Sequence, residues 1–231
     1  MTDVPETPAP QAKEPIFNLP PVTQALCLAN IAVFLLEISL PTQVADRWVT
    51  FFGFIPARYT GPAPLGAAAF LSPFTYMFLH GGWLHIGINV TALMAFGAGV
   101  EKAMGMGAGK TLAAARMLVF YVLTGLAAAL THALFYPAGT VPVIGASGAI
   151  SGLFGGILLI MADAGLMGGE KKPRYKTLLP VILLWIGGAA FFGIFGMPGV
   201  NSPIAWTAHI GGFVAGLLLF KPCLRLGTRA I

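Results

Sequence analysis

Long apolar runs separated by short polar segments make up most of this chain. The runs predict six membrane-spanning helices, at residues 23–40, 75–100, 113–136, 147–162, 178–195 and 204–220. A helix needs about 20 residues to cross a hydrocarbon core of about 30 Å. The fourth run is shorter, at about 24 Å between Ser147 and Asp163. We therefore expect that helix to begin below the outer surface, in an all-α polytopic membrane protein.

The segments outside and between these runs differ in composition. Residues 1–20 are acidic and rich in proline, which predicts a disordered tail. Residues 21–222 form the six-helix domain, and residues 223–231 form a short basic tail. The connection 41–74 is long and apolar for a loop, so we expect it to lie in the outer membrane interface. The connection 196–202 carries the glycines and proline of a mobile flap.

Basic residues indicate the orientation of the helices. With six spans both termini lie on one side, and placing them in the cytoplasm leaves only Arg47 and Arg58 in the outer connections. The inner loops and the C-terminal tail then hold ten basic residues: Lys102, Lys110, Arg116, Lys171, Lys172, Arg174, Lys176, Lys221, Arg225 and Arg229. This asymmetry is the one expected of a multi-pass protein with cytoplasmic termini.

Composition excludes several function classes. The chain is 57% hydrophobic and only 9% charged, whereas soluble domains carry about 25% charged residues. The net charge of +5 does not indicate nucleic-acid binding, because there is no basic stripe with interleaved aromatic residues. The glycine-rich segment 105–111 ends in Gly-Lys-Thr, but the first glycine of a phosphate loop falls on Met104 and no strand precedes it. We predict no nucleotide and no other cofactor.

Five polar residues in or beside the apolar runs are the candidate functional groups. His80, His85 and Asn89 lie near the outer end of the second run, Ser147 begins the fourth, and His209 lies in the sixth. Polar groups at membrane depth are costly and are therefore functional candidates. His85 and Asn89 are four residues apart and share one helix face. Their estimated depths predict one pocket in the outer half of the membrane.

The glycines around Ser147 allow two interpretations. Gly145 and Gly148 permit a tight backbone turn, and a helix starting at Ser147 presents free N–H groups that can bind an oxyanion. The spacing of glycines on this helix is also typical of close helix packing. The same spacing occurs on the sixth helix. The glycines concerned are Gly148, Gly152, Gly156, Gly212 and Gly216. Both interpretations are compatible, because a direct Ser147–His209 hydrogen bond requires the two helices to approach closely.

Other hydrolytic chemistries fit the sequence less well. A membrane zinc protease needs the pattern HExxH, and no acidic residue lies beside the histidines of the second run. An aspartyl protease needs two carboxyl groups that share a proton, and Asp163 is the only aspartate near a span. We therefore predict no metal site.

At these residues the chain closely resembles the rhomboid family of intramembrane serine proteases. The resemblance covers residues 21–221 and rests on three motifs: HxxxxHxxxN from His80 to Asn89, GxSG around Ser147, and a histidine before paired small residues at His209. It implies a Ser–His dyad with no third acidic member, in which Ser147 is the nucleophile and His209 is the general base.

The resemblance also implies the surroundings of the dyad. His85 and Asn89, with backbone N–H groups at the nucleophile between Gly145 and Gly148, stabilise the oxyanion, and His80 supports their hydrogen-bond network. The substrates would be other membrane proteins whose spanning segments unwind near the outer face and are cut beside small residues. The flap and the fifth span would form the gate. We expect a multi-pass protein of a bacterial inner membrane.

The chain departs from the family pattern at two places. Many rhomboids carry Trp-Arg in the first outer loop, where this sequence has Leu71 and Ser72. An aromatic residue often follows the nucleophile by four positions and stacks on the catalytic histidine, where this sequence has Ser151. The loop anchoring and the support of His209 must therefore differ from the common arrangement.

Two other functions fit the sequence less well than proteolysis. A catalytically inactive rhomboid relative would bind membrane proteins and route them elsewhere, but the intact Ser147, His209, His85 and Asn89 argue against it. A small transporter would show an inverted repeat with paired broken helices, and the sequence shows none. His132, in the third run, is predicted to make a structural hydrogen bond between helices.

Overall fold

The computed structural model describes residues 19–62, 64–165, 174–196 and 204–227. Nearly all of the predicted N-terminal tail and all but the first residue of the predicted flap lie outside these ranges. Three of the basic residues used for orientation also lie outside them: Lys171, Lys172 and Arg229.

The described chain forms ten α-helices. They are α1 (Pro21–Ser39), α2 (Thr42–Phe52), α3 (Ala57–Thr60), α4 (Ala67–Thr75), α5 (Trp83–Ala92), α6 (Ala98–Gly105), α7 (Lys110–Phe135), α8 (Ser147–Asp163), α9 (Arg174–Phe195) and α10 (Trp206–Arg225). A π-helical segment, Leu93–Gly97, joins α5 and α6 into one continuous rod. This architecture confirms the predicted all-α polytopic fold.

Five of the described helical segments are long and apolar enough to cross a membrane. They correspond to the first, second, third, fifth and sixth predicted spans: Pro21–Ser39, Trp83–Gly105, Lys110–Phe135, Leu178–Phe195 and Trp206–Arg225. The remaining predicted span, α8, is an apolar helix of only 17 residues. It is thus the shortest of the six, as expected from its position in the sequence.

The predicted start of the second span was wrong. We expected a helix from residue 75, but residues 79–82 are not helical and the long rod begins at Trp83. Gly82 has a φ of 151°, a conformation that favours glycine. Since hydropathy does not report backbone conformation, the apolar run concealed this break between α4 and α5.

The long connection after α1 folds into the three short helices α2, α3 and α4. Arg58 on α3 holds the end of α2, because its guanidinium donates hydrogen bonds to the carbonyl oxygens of Gly53 (2.9 Å) and Thr50. These carbonyls would otherwise lack partners at the helix end. None of the side chains of α2 is buried, which suits the predicted position in the membrane interface.

Helix α8 packs closely between α7 and α10. A Cβ atom built on Gly212 of α10 would overlap the carbonyl oxygen of Gly148, and one on Gly216 would overlap the backbone of Gly152. On the other side of α8, a Cβ on Gly152 would overlap Thr124 of α7. The glycines therefore allow contact close to backbone distance, as the packing interpretation predicted.

At the opposite end of the rod from Trp83, buried charged groups hold helix ends together. The carboxylate of Glu101 accepts hydrogen bonds from the backbone N–H groups of Val22 (3.0 Å) and Thr23 (2.7 Å) and from the Thr23 hydroxyl (2.8 Å). This caps the first turn of α1. Arg116 donates hydrogen bonds to the carbonyl oxygens of Met104 (2.8 Å) and Leu226 (2.9 Å), which ties α6 and the end of α10 to α7.

Candidate active site

The loop before Ser147 is held by backbone contacts to two points of the chain between α2 and α5. Phe54 and Val143 exchange two hydrogen bonds, at 3.0 and 2.8 Å, and the N–H of Gly145 donates to the carbonyl oxygen of Tyr76 at 2.9 Å. Gly145 has a φ of 112°, and a Cβ built there would lie 2.6 Å from Nε2 of His85. Only glycine combines this backbone conformation with that close contact. The loop thereby delivers Ser147 to the start of α8.

Ser147 and His209 meet across the α8–α10 contact. Oγ of Ser147 lies 2.7 Å from Nε2 of His209, which is hydrogen-bond distance. Ser147 is the first residue of α8, and His209 lies in the first turn of α10. The glycine contacts between these helices bring the two side chains within reach. A hydroxyl hydrogen-bonded to an imidazole is the arrangement required for nucleophilic attack assisted by a base.

His85 faces the loop around Ser147 with one ring nitrogen. The N–H of Gly81 donates a hydrogen bond to Nδ1 of His85 at 3.3 Å, so Nδ1 acts as an acceptor and a neutral ring carries its proton on Nε2. Nε2 is the atom that lies closest to the Cβ position of Gly145. His85 therefore presents an N–H donor toward the loop that holds Ser147.

Asn89 lies one helical turn after His85 and lines the same cavity. Its Nδ2 donates a hydrogen bond to the carbonyl oxygen of His85 at 2.8 Å, which fixes the orientation of the amide. That bond uses one of the two amide hydrogens, so one donor remains for a bound group. Asn89 is 3% exposed, and a donor in such a dry position acts strongly on charge.

His80 lies behind these groups and not in the cavity wall. It is 1% exposed, its Nδ1 lies 3.2 Å from the carbonyl oxygen of Phe78, and its ring centroid is 5.0 Å from that of His85. Of the five polar candidates, four line one cavity, and His80 is placed to support His85 from outside it. The predicted single pocket therefore holds four of the five.

The cavity has a volume of about 460 Å³. Besides Ser147, His209, His85, Asn89, Gly145 and Gly148, its wall contains Tyr76, Ile88, His132, Tyr136, Gly139, Thr140, Val141, Pro142, Val143, Ile144, Gly193, Ile204, Ala205, Trp206 and Ala208. A largely apolar wall with a few convergent polar groups is typical of a site that binds an organic ligand. Among the described residues, the His, Cys, Asp and Glu side chains form no group of three that could hold a metal ion.

Ser151 and His132 both lie near the dyad. Ser151 lies one turn deeper on α8, where its Oγ donates a hydrogen bond to the carbonyl oxygen of Ser147 at 2.7 Å. His132 makes the predicted bond between helices, with Nδ1 2.8 Å from Oγ1 of Thr207 on α10. His132 also lines the cavity, which the sequence did not indicate because it depends on how α7 and α10 pack.

Helix α9 contributes Gly193 to one side of the cavity. A Cβ atom on Gly193 would overlap the side chain of Trp206, and both residues line the cavity. Elsewhere α9 exposes large apolar side chains such as Leu184 and Phe195, as expected for a helix at the edge of a bundle that faces lipid.

Comparison with known proteins gives consistent matches. The family model described as Rhomboid domain matches residues 68–225. RHOMBOID-like protein 5 of Arabidopsis thaliana is 31% identical over 143 residues, covering 62% of this chain and 40% of that protein. RHOMBOID-like protein 4 of the same plant is 26% identical over 215 residues (83% and 50%). Rhomboid protease GlpG of Pectobacterium atrosepticum is 28% identical over 203 residues (86% and 61%). The chain thus spans 40% to 61% of the length of these relatives.

Proposed function

Because this chain belongs to the rhomboid family, we propose that it is an intramembrane serine endopeptidase that cuts transmembrane segments of other membrane proteins near the outer face. The observation that carries this proposal is the 2.7 Å contact between Oγ of Ser147 and Nε2 of His209 inside a largely apolar cavity. An integral membrane protein with such a cavity can hold water and a scissile peptide bond at membrane depth.

In the proposed first step, Oγ of Ser147 attacks the scissile carbonyl carbon while its proton passes to Nε2 of His209. His209 then gives this proton to the leaving amine, and an ester of Ser147 remains. A water molecule, deprotonated by the same imidazole, hydrolyses the ester and restores the serine. The chain needs no cofactor for these steps, since the dyad supplies both the nucleophile and the proton carrier.

Negative charge develops on the substrate carbonyl oxygen in both steps. We assign its stabilisation to Nε2–H of His85, the free amide hydrogen of Asn89 and the backbone N–H groups at the start of α8, between Gly145 and Gly148. These donors are held in place before the reaction begins, which is the condition under which they lower the barrier most. His80 supports the orientation of His85 through the contact between the two rings.

The position of Ser147 inside the membrane limits which substrates can reach it. In a transmembrane helix the backbone N–H and C=O groups are hydrogen-bonded to one another. The helix must therefore unwind locally before a carbonyl group can reach Ser147. Membrane proteins with helix-breaking residues near the outer end of a span are therefore the expected substrates. Entry between α9 and α10, past the contact of Gly193 with Trp206, is the proposed route.

The proposal is tested by the rate at which a fluorescent fluorophosphonate labels the reconstituted protein. Wild type should be labelled, and His209→Ala should be labelled at least about 10²-fold more slowly, because the hydroxyl loses its base. Thermal unfolding of the variant checks that it is folded. A wild-type protein that is folded but neither labelled nor able to cut any membrane protein would instead be a binding and routing relative.

Replacement of Asn89 tests the oxyanion assignment. Asn89→Ala should lower kcat about 10²-fold with little change in KM, because the lost donor acts mainly in the transition state. Gly87→Ala is the matched control on the same helix, since a Cβ there meets no atom within 4 Å. The assignment is wrong if Asn89→Ala raises KM and leaves kcat at the wild-type value.

A further inference from the structure

The first turn of α10 is tied to α7 by one polar pair. Nδ1 of His132 lies 2.8 Å from Oγ1 of Thr207, and Thr207 is 1% exposed and two residues before His209. The Thr207 end of this hydrogen bond is fully buried, whereas His132 lies in the cavity wall. A buried hydroxyl that lost its partner would be left unsatisfied, so the two groups are costly to separate. The pair therefore restrains the helix turn that carries His209.

A second contact holds the same face of α10 against α7. A Cβ atom on Gly211 would overlap the side chain of Thr131 and would lie 3.0 Å from the carbonyl oxygen of Ala127. Thr207 and Gly211 are four residues apart and so share a helix face. His209 is two residues from each, which places it about 200° around the helix from Thr207. The contacts with α7 thus fix the rotation of α10 that aims His209 at Ser147.

The other polar contact of this turn does not survive the reaction. Among the described residues, the side chains near the start of α10 make two hydrogen bonds, His132–Thr207 and Ser147–His209. The second is lost when Oγ of Ser147 becomes an ester oxygen. At that stage His209 must still activate water, and the His132–Thr207 pair remains to hold it in place.

We propose that His132 is a positioning residue of the dyad, which acts through Thr207 to set the position of the His209 imidazole. The proposal rests on the proteolytic function proposed above. His132 touches neither the proton that is transferred nor the developing oxyanion. Its loss misplaces the base, and small misplacements of a catalytic group slow a reaction strongly.

The test compares cleavage kinetics of matched variants toward one transmembrane substrate in proteoliposomes. His132→Ala and Thr207→Val should each lower kcat about tenfold with little change in KM. Because both remove the same bond, the double variant should be no slower than the slower single variant. His132→Asn places a polar atom near the position of Nδ1 and should recover most of the kcat lost in His132→Ala, whereas His132→Gln places one near the position of Nε2 and should not.

Thr23→Val is the control for a purely structural effect. It also removes one buried hydrogen bond between helices, the one that the hydroxyl of Thr23 donates to Glu101. Thr23 is distant in sequence from both residues of the dyad. Thr23→Val should lower the unfolding temperature to a similar degree as Thr207→Val and leave kcat at the wild-type value.

The outcomes separate this proposal from the function on which it rests. An inactive wild-type protein would overturn the proteolytic function itself. An active wild type with His132→Ala and Thr207→Val within twofold of it would overturn the positioning role alone. Recovery of kcat in His132→Gln rather than in His132→Asn, with Thr207→Val unimpaired, would also overturn it, because His132 would then act on the substrate through Nε2.

Discussion

Ser147→Ala should abolish cleavage of every transmembrane substrate, with the amount of fragment reduced by at least about 10³-fold. The reason is chemical, because among the described residues Ser147 supplies the only hydroxyl that is hydrogen-bonded to the imidazole of His209. Cleavage is measured by co-expression with a panel of tagged single-span proteins, followed by detection of fragments. Wild type should generate fragments from panel members with helix-breaking residues near the outer face.

Ser151→Ala is the matched control for this experiment. It removes a serine hydroxyl from the same helix, one turn deeper, and loses only the hydrogen bond to the carbonyl oxygen of Ser147. Fragment formation should fall by less than about tenfold, the value of one net hydrogen bond. Loss of cleavage in Ser151→Ala but not in Ser147→Ala would move the nucleophile one turn down α8.

Gly212→Ala should damage both stability and activity although it adds only one methyl group. Its Cβ would overlap the carbonyl oxygen of Gly148, and backbone at this contact cannot rotate away as a side chain can. Overpacking of this kind costs about 1–3 kcal/mol. Since the shift separates α8 from α10, the Ser147–His209 contact lengthens and the cleavage rate should fall at least about 10²-fold.

Gly187→Ala on α9 controls for the effect of a glycine-to-alanine change in a membrane helix. A Cβ at this position meets no atom within 4 Å, so the unfolding temperature and the cleavage rate should stay close to wild type. Unfolding is followed by circular dichroism in detergent, alongside the cleavage rate. A Gly212→Ala protein with wild-type stability and activity would show that the α8–α10 contact does not set the dyad.

The helices that span the membrane could be predicted because each corresponds to a long apolar run in the sequence. The break before Trp83 could not, since the conformation of Gly82 leaves no trace in hydropathy. The helices α2 to α4 were also missed, because an interfacial segment mixes polar and apolar residues without a long run. We expected this connection to lie in the outer interface. The hydrogen bond from Arg58 to Gly53 at the end of α2 could not be predicted from hydropathy.

Much of the candidate site could be predicted because polar residues are rare in the apolar runs. A histidine, asparagine or serine stands out in an apolar run, and Ser147, His209, His85 and Asn89 all line the cavity. The remaining wall was not predictable, since Tyr76 and Trp206 are ordinary packing residues until their neighbours are known. The second role of His132 was hidden likewise, because its bond to Thr207 depends on how α7 and α10 pack.

A fluorophosphonate that reacts with an activated serine can identify the nucleophile of this protein. Wild-type protein in proteoliposomes is labelled, digested and analysed by mass spectrometry. We expect a single adduct on Ser147, absent from protein unfolded before labelling. An adduct on another residue, or a folded protein that forms none, would contradict the assignment of Ser147 as a nucleophile activated by His209.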